Sequence, residues 1–166
     1  MFITCADSRI VPSAITGAEP GSLFELRTAG NVIPAFDPRA ASAEMATVEF
    51  AVVQLGVSEI VVCGHSHCGA VDALHGDRQA LTHLPSMVRW LAAHAPFRTE
   101  RPTPGLREEG RRHVLAQLRN LEDYPFVRDR VVAGDLRTHG WFYDIETGEV
   151  SACGADGLLP LQEHVT

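Results

Sequence analysis

The segment EIVVCGHSHCG, residues 59–69, decides how this chain folds. Glu59 to Cys63 is a β-branched run of the kind found in buried strands, and Gly64 to Gly69 predicts a turn that leads into a helix. A strand that passes through a short turn into a helix is the repeating unit of a parallel sheet. The segment therefore predicts an α/β fold with this strand inside the sheet.

Shorter strands on both sides of this segment complete the predicted sheet. Phe2 to Cys5 and Ser22 to Arg27 are β-prone runs, and each ends at small polar residues. Near the other end, Leu136 to Ile145 and Glu149 to Cys153 flank a glycine-containing connection, which predicts a hairpin. We therefore predict a mostly parallel central β-sheet flanked by helices, with a C-terminal antiparallel hairpin.

One helix is predicted with particular clarity between the second strand and residue 59. Asp37 is a suitable N-cap, Pro38 suits the first helical position, and Gly56 suits the end. The apolar residues between them are spaced by three and four, which predicts one buried helical face containing Ala41, Met45, Val48, Val52 and Leu55. Two further helices are predicted at Leu84 to Ala95 and at Leu106 to Asp123.

The composition limits the classes of function. The 166 residues are 45% hydrophobic and 21% charged, which is typical of one compact domain and not of a disordered chain. The net charge of −7 repels a phosphate backbone, so nucleic acid is not an expected partner. The apolar runs are much shorter than the ~20 residues of a membrane span, and no secretory signal is present, so we expect a cytoplasmic protein without a membrane partner.

Two residues that follow the strand at Glu59 to Cys63 have the chemistry of metal ligands. His65 and Cys68 are three residues apart, and imidazoles and thiolates are the groups that bind zinc. Cys5 also ends a predicted strand, and the carboxyl ends of parallel strands line the crevice in which ligands bind. Two cysteines and one histidine would leave a fourth position open for water, as in catalytic zinc sites.

The spacing alone leaves alternatives open. An isolated H-x-x-C pair is weak evidence for a metal. His67 is a competing ligand, but it adjoins Cys68 directly and neighbouring side chains usually point apart, so His65 is preferred. Cys63 and Cys153 are more easily explained as small buried hydrophobic residues. The other six of the eight histidines are scattered and carry no motif.

Asp7 and Arg9 follow Cys5 closely and form a second informative pair. An arginine fork holds a carboxylate ionised and fixes its direction, so the carboxylate is able to orient a water beside the metal. The competing interpretation is an ordinary turn, because Asp and Ser after a strand often cap the next helix. The residues alone do not decide between these interpretations.

Three segments together resemble the signature segments of the β-class carbonic anhydrases, in the same order. They are CADSR at residues 5–9, RTAGN at 27–31 and GHSHCG at 64–69. The similarity extends through residues 41–55 and, more weakly, through 117–121 and 139–144. It implies the β-carbonic anhydrase fold and the reversible hydration of carbon dioxide to bicarbonate and a proton, by hydroxide generated at a zinc ion.

The resemblance also implies a role for each site residue. Zinc would be held by Cys5, His65 and Cys68, and the catalytic pair would be Asp7 and Arg9. In relatives, the substrate pocket is lined by residues that match Phe24, Ala29 and Phe50. Relatives are dimers or higher multiples, so we expect a homodimer or larger homo-oligomer that uses Leu23 to Arg27 and the helix after Asp37.

The resemblance leaves some expectations open. Relatives carry helices upstream of the first signature segment, and we expect residues 1–166 to form a single domain without them. A non-catalytic zinc-binding descendant that serves as an interaction module is one alternative function, and some relatives do close the site by moving the aspartate onto zinc. A related hydrolase acting on carbon disulfide is another. A thiol redox protein is disfavoured because the sequence has no C-x-x-C motif.

Overall fold

A computed structural model describes residues 1–76, 81–95, 102–154 and 156–161 of the chain. Within these residues the strands are β1 (Phe2–Cys5), β2 (Glu25–Thr28), β3 (Glu59–His65), β4 (Arg137–Tyr143), β5 (Val150–Gly154) and β6 (Gly157–Pro160). The helices of the same residues are α1 (Pro12–Thr16), α2 (Ala43–Glu49), α3 (Gly69–His75), α4 (Pro85–His94), α5 (Arg107–Glu122) and α6 (Pro125–Ala133). Short 3-10 turns occur at Ala29–Asn31 and Pro104–Leu106.

The strands form one sheet in the order β2-β1-β3-β4-β5-β6. The first four strands of that order are parallel to one another, and β5 and β6 add to β4 as antiparallel strands. The predicted fold class, a mostly parallel sheet with helices and a C-terminal antiparallel hairpin, is confirmed.

The strand register brings three carboxyl ends to one edge of the sheet. Cys5 at the end of β1 pairs with Thr28 at the end of β2. Thr4 pairs with Cys63 of β3, and β3 continues to His65. Because these strands are parallel, the residues that follow each of them meet at this edge, where ligands of α/β sheets usually bind.

The main core lies where helices α2, α5 and α6 cover one face of the sheet. It contains Ile3, Ile33, Met45, Val48, Val52, Ile60, Val62, Val114, Leu121, Tyr124, Val127 and Leu136. Helix α5 lies close to β4, since a Cβ on Gly110 would be 2.4 Å from a ring carbon of Phe142. Within the described residues, no helix combines the length and the apolar character needed to span a bilayer.

The structure places the start of the clearest predicted helix later in the chain than the sequence predicted. Helix α2 begins at Ala43, and its N-cap is Ser42, whose hydroxyl oxygen accepts from the Met45 N–H at 3.1 Å. The predicted cap, Asp37, instead accepts from the Arg39 N–H at 2.9 Å within a separate turn. Asp before Pro therefore stabilises a turn here, because its side chain binds the backbone two residues on.

The C-terminal turn of the same helix explains why its buried face contains fewer residues than the sequence predicted. Met45, Val48 and Val52 are buried, but Leu55 is 49% exposed and Ala41 precedes the helix. Residues Phe50–Gln54 form a π-helical turn, in which the Leu55 N–H donates to the Phe50 carbonyl five residues back. The wider turn shifts Leu55 away from the buried stripe.

Other strands and helices differ from the predictions in the residues at which they begin or end. Strand β2 begins at Glu25 rather than Ser22, because the Ser22 N–H donates to the Glu19 carbonyl in a turn. Helices α4 and α5 match their predicted ranges to within one or two residues. Helix α6 was not predicted, although Pro125 stands at its first turn and Gly134 follows its end.

Candidate metal centre

The candidate ligands come from two strand ends and the start of one helix. Cys5 is the last residue of β1, His65 is the last residue of β3, and Cys68 is the N-cap residue of α3. Their two Sγ atoms and one imidazole nitrogen lie within 4.8 Å of one another. All three side chains are buried. The fold therefore brings Cys5 close to two residues that lie 60 and 63 positions further along the chain.

The two sulfur atoms lie 4.0 Å apart in an apolar surrounding. The hydrogen bond from Cys68 lowers the pKa of Cys5, and the same bond together with burial raises the pKa of Cys68. Both thiols must lose their protons to bind a metal, and the positive charge of an ion at this place would favour that loss. Two thiolates bound to one tetrahedral zinc at about 2.3 Å would be separated by about 3.8 Å, close to the observed distance.

The imidazole of His65 is prepared to bind a metal. Its Nδ1 lies 2.8 Å from the Ser66 carbonyl, and because a carbonyl only accepts, Nδ1 carries the hydrogen. The lone pair is then on Nε2, a buried atom with no hydrogen-bond partner in the part of the chain that the structure describes. A metal-binding histidine is usually held in this way, with its other nitrogen donating to a carbonyl or carboxylate. The donor set and the unpartnered Nε2 fit zinc.

Asp7 is held away from these three donors by Arg9. The carboxylate accepts from Arg9 Nε at 2.9 Å, from Arg9 Nη2 at 2.6 Å and from the Arg9 backbone N–H at 2.9 Å. The side-chain hydrogen bonds from Arg9 hold the pKa of Asp7 well below its usual range. Within the described part of the chain, the group with metal-ligand spacing contains Cys5, His65 and Cys68 but not Asp7. Three protein donors leave a fourth position available.

A second arginine, Arg27, organises the backbone around Asp7. Its guanidinium donates to the carbonyls of Cys5 at 3.0 Å, Asp7 at 2.8 Å and Ile10 at 2.8 Å. Sequence reasoning did not identify this role, because hydrogen bonds to backbone carbonyls have no side-chain pattern of their own. The signals available in the sequence are the position of Arg27 near the end of β2 and its place in the signature segment RTAGN, and neither of them specifies these contacts.

A third arginine, Arg107, supports the loop between His65 and Cys68. Its Nε donates to Asp144 at 2.6 Å and its Nη2 pairs with Glu146. Ser66 Oγ accepts from the Ile145 N–H at 2.9 Å, and the His67 N–H donates to the Gly105 carbonyl at 2.9 Å. The loop is thus held by hydrogen bonds from two neighbouring segments, and no sequence pattern had indicated this role of Arg107.

The other histidine and the cysteines that were considered as possible metal ligands from the sequence lie outside the candidate metal centre. His67 has a positive φ of 55° and points to the surface, where its Nε2 lies 3.3 Å from Glu146. Cys63 is fully buried in β3, and burial raises its pKa. Cys153 is half-buried against the main core, and burial raises its pKa to about 12. Both cysteines behave as the small hydrophobic residues that the sequence predicted.

The structure separates the three residues predicted to line the substrate pocket. Ala29 follows β2 directly, and the N–H of the next residue, Gly30, donates to Cys5 Sγ at 3.4 Å. Phe24 and Phe50 contact each other, with ring centroids 6.0 Å apart. However, the Phe24 carbonyl accepts from the Phe2 N–H, three residues and about 10 Å along β1 from Cys5. Within one chain, only Ala29 of the three adjoins the candidate ligands.

Comparison with known proteins gives one family. The carbonic anhydrase family model matches residues 1–150. A carbonic anhydrase of Pseudomonas aeruginosa is 43% identical over 173 aligned residues, which cover 99% of this chain and 78% of that protein. The solved structure of the β-carbonic anhydrase CcaA has a TM-score of 0.85 and 37% identity, over 99% of this chain and 78% of that one. A tetrameric β-carbonic anhydrase of Sordaria macrospora has a TM-score of 0.71 and 28% identity, over 93% and 79%.

Proposed function

Because the chain belongs to the β-carbonic anhydrase family, we propose that it hydrates carbon dioxide reversibly at a zinc ion held by Cys5, His65 and Cys68. The observation that carries the zinc assignment is the grouping of an imidazole nitrogen of His65 and both cysteine sulfurs within 4.8 Å of one another, together with the buried Nε2 of His65, which has no hydrogen-bond partner among the described residues. Zinc bound there supplies Lewis-acid chemistry that makes hydroxide available near neutral pH. The negative charges of the two thiolates would offset part of the positive charge of the ion. We therefore expect the hydration reaction to be favoured by mildly alkaline conditions.

Asp7 and Arg9 are proposed as the catalytic pair beside the metal. Arg9 keeps Asp7 ionised, so the carboxylate is only able to accept hydrogen bonds. A hydroxide nucleophile that donates its one hydrogen to Asp7 has its lone pairs turned toward the substrate carbon. The Asp7 carboxylate therefore orients the nucleophile, while the arginine fixes the direction of the carboxylate.

Carbon dioxide is small and apolar, and Phe24, Ala29 and Phe50 are proposed to line its pocket. Ala29 is in place within one chain, whereas Phe24 and Phe50 lie at the other end of β2. We therefore propose that the two aromatic rings act in the site of a second copy of the chain. Support comes from the apolar surface beside them, where Phe50, Val53 and Leu55 are 49%, 63% and 49% exposed, and from the tetrameric relative.

The alternative of a closed, non-catalytic zinc site is disfavoured by the geometry. Closure would require a fourth protein ligand, and Asp7 is instead engaged by three donors of Arg9. Hydrolysis of carbon disulfide would use the same zinc and the same catalytic pair. Measuring both substrates with one preparation therefore distinguishes the two enzymatic functions.

The test measures zinc content and carbon dioxide hydration in the purified chain and in two matched Cys→Ser variants. We expect one zinc per chain and hydration activity in the wild type and in Cys153→Ser. We expect Cys68→Ser to lose the metal, the activity and part of its stability, because zinc binding contributes to the free energy of folding. Full zinc occupancy in Cys68→Ser would refute the ligand assignment, and carbon disulfide hydrolysis without carbon dioxide hydration would refute the proposed substrate.

A further inference from the structure

The turn that follows β2 contacts the candidate ligand Cys5 through one backbone group. The Gly30 N–H donates to Cys5 Sγ at 3.4 Å. Gly30 has a positive φ of 72°, and a Cβ at this position would be 2.7 Å from the Cβ of Ala70. Only glycine fits, and glycine has the most freedom to leave this conformation. The direction of the N–H therefore depends on what holds the rest of the Gly30 backbone.

The carbonyl of the same glycine is held by His113. This residue lies on α5, is 8% exposed, and its Nε2 is 2.7 Å from the Gly30 oxygen. Because a carbonyl only accepts, Nε2 is the protonated nitrogen. Burial lowers the pKa of His113, which keeps the ring neutral at physiological pH. The histidine is thus a fixed neutral donor, 83 residues away from the glycine in sequence.

We propose that His113 is a positioning residue of the metal centre, which acts through Gly30 on the sulfur of Cys5. The donated N–H reduces the charge on the thiolate and sets the direction of its lone pairs, as partners of metal ligands commonly do. Without the imidazole donor, the Gly30 oxygen would be buried without this partner and the peptide group after Gly30 would be free to turn. The peptide group before Gly30, which carries the N–H, would then be held at its other end by the long, 3.5 Å hydrogen bond from Trp90 Nε1 to the Ala29 oxygen. The inference rests on the proposed zinc site.

A cavity of about 130 Å³ beside His113 provides a matched control. It is also lined by His75, whose Nδ1 lies 2.9 Å from the carbonyl of Val71 in its own helix. His75 has no hydrogen bond to Gly30 or to the three candidate ligands among the contacts of the described residues. Substitution of His75 changes the same cavity and leaves the contact with Gly30 in place.

The experiment compares four variants with the wild type: His113→Met, His113→Asn, His113→Gln and His75→Met. Zinc affinity is measured by competition with a chelator, and the thiolate-to-metal absorption bands are measured after cobalt substitution. A glutamine amide reaches the position of His113 Nε2, whereas asparagine is one methylene shorter and methionine has no donor. We therefore expect about 10-fold weaker zinc binding and shifted bands in His113→Met and His113→Asn. His113→Gln and His75→Met should match the wild type.

The outcomes separate this inference from the proposed function. Wild-type zinc binding, combined with unchanged affinity and bands in His113→Met and His113→Asn, would overturn the role of His113 alone. A wild type that binds no zinc would overturn the proposed function as well. If His113→Met does not fold, as judged by circular dichroism, the matched pair of His113→Asn and His113→Gln decides. Equal zinc affinity and equal bands in that pair would also refute the inference.

Discussion

At the residue scale, the arginine pairing of Asp7 has a counterpart elsewhere in the same chain. Asp37 and Arg39 have the same spacing, and Arg39 donates to Asp37 Oδ1 from its backbone at 2.9 Å and from its Nε at 3.3 Å. The second pair lies in an exposed turn before α2, with the Arg39 side chain 90% exposed. It therefore provides an internal control for the proposed role of Arg9.

We predict that Asp7→Asn and Arg9→Ala retain zinc but lower the hydration rate about 10²-fold, the usual effect of removing an orienting or electrostatic group. Arg39→Ala should retain both zinc and rate. Stopped-flow hydration kinetics and metal analysis on the same preparations provide the measurement. Near-native rates in both Asp7→Asn and Arg9→Ala would show that the pair only stabilises a turn.

The residues of the site differ in how far the sequence predicted them. Cys5 and His65 stand at strand ends, and Cys68 lies in the short turn after the second of them, so residue type and local pattern together indicated that they would meet. Arg27 and His113 act on the backbone carbonyls of residues 22 and 83 positions away. No local pattern encodes such contacts, because any residue supplies a carbonyl. They become visible only when the strands and α5 are placed in space.

At the element scale, α2 shows why helix ends are harder to predict than helices. The sequence predicted a start at Asp37-Pro38, whereas the structure begins the helix after the N-cap Ser42. The structure uses Ser42 because Asp37 already binds the Arg39 N–H, and the Asp37 carbonyl accepts from the Ala40 N–H in the same turn. The central apolar spacing of Met45, Val48 and Val52 predicted the buried face correctly, since burial depends on several residues rather than one.

We expect Ser42 and Asp37 to contribute differently to the free energy of unfolding. Ser42→Ala removes the acceptor of the Met45 N–H and should lower the free energy of unfolding by about 1 kcal/mol. Asp37→Ala affects only an exposed turn and should change it by less than about 0.5 kcal/mol. Urea unfolding followed by circular dichroism measures both. A larger loss in Asp37→Ala than in Ser42→Ala would mean that the helix starts at the earlier residue.

At the scale of the whole molecule, the absence of lysine simplifies titration at high pH. All 14 basic side chains are arginine, which stays charged, so tyrosines and cysteines are the side chains that lose protons in the alkaline range. Tyr124 is fully buried, donates to the Pro34 carbonyl at 2.8 Å, and has its pKa raised to about 12 by burial and by Glu44. Burial also raises the pKa of Cys63 and of Cys153.

These shifts predict a loss of stability as the pH rises. The unfolded chain releases the Tyr124 proton near pH 10, whereas the folded chain holds it to about pH 12. Stability from this group is therefore complete below pH 10, and about 2 kcal/mol is lost between pH 10 and 12. Tyr124→Phe should be about 1 kcal/mol less stable than wild type at pH 8, from the lost hydrogen bond, and the difference should vanish or reverse by pH 12. Parallel stability curves, measured at equal metal content, would contradict the assignment.

Assembly is the other property of the whole molecule, and the surface beside Phe24 and Phe50 makes it testable. Val53 is 63% exposed on the π-helical turn, three residues after Phe50, whose ring contacts that of Phe24. Val132 is 82% exposed on α6 and serves as a control for the same Val→Asp change. A charge placed within a buried apolar interface is costly, whereas a charge on a free surface is not.

We predict that the wild type and Val132→Asp have at least twice the mass of one chain in light scattering, and that Val53→Asp has the mass of one chain. Hydration activity should fall at least about 10-fold in Val53→Asp with its zinc retained, because the monomer has Ala29 beside the metal but no aromatic rings from a second copy. Zinc retention follows from the ligand set, since all three candidate ligands belong to one chain. A wild-type monomer with full activity, or a monomeric Val53→Asp as active as the wild type, would show that one chain completes the site by itself.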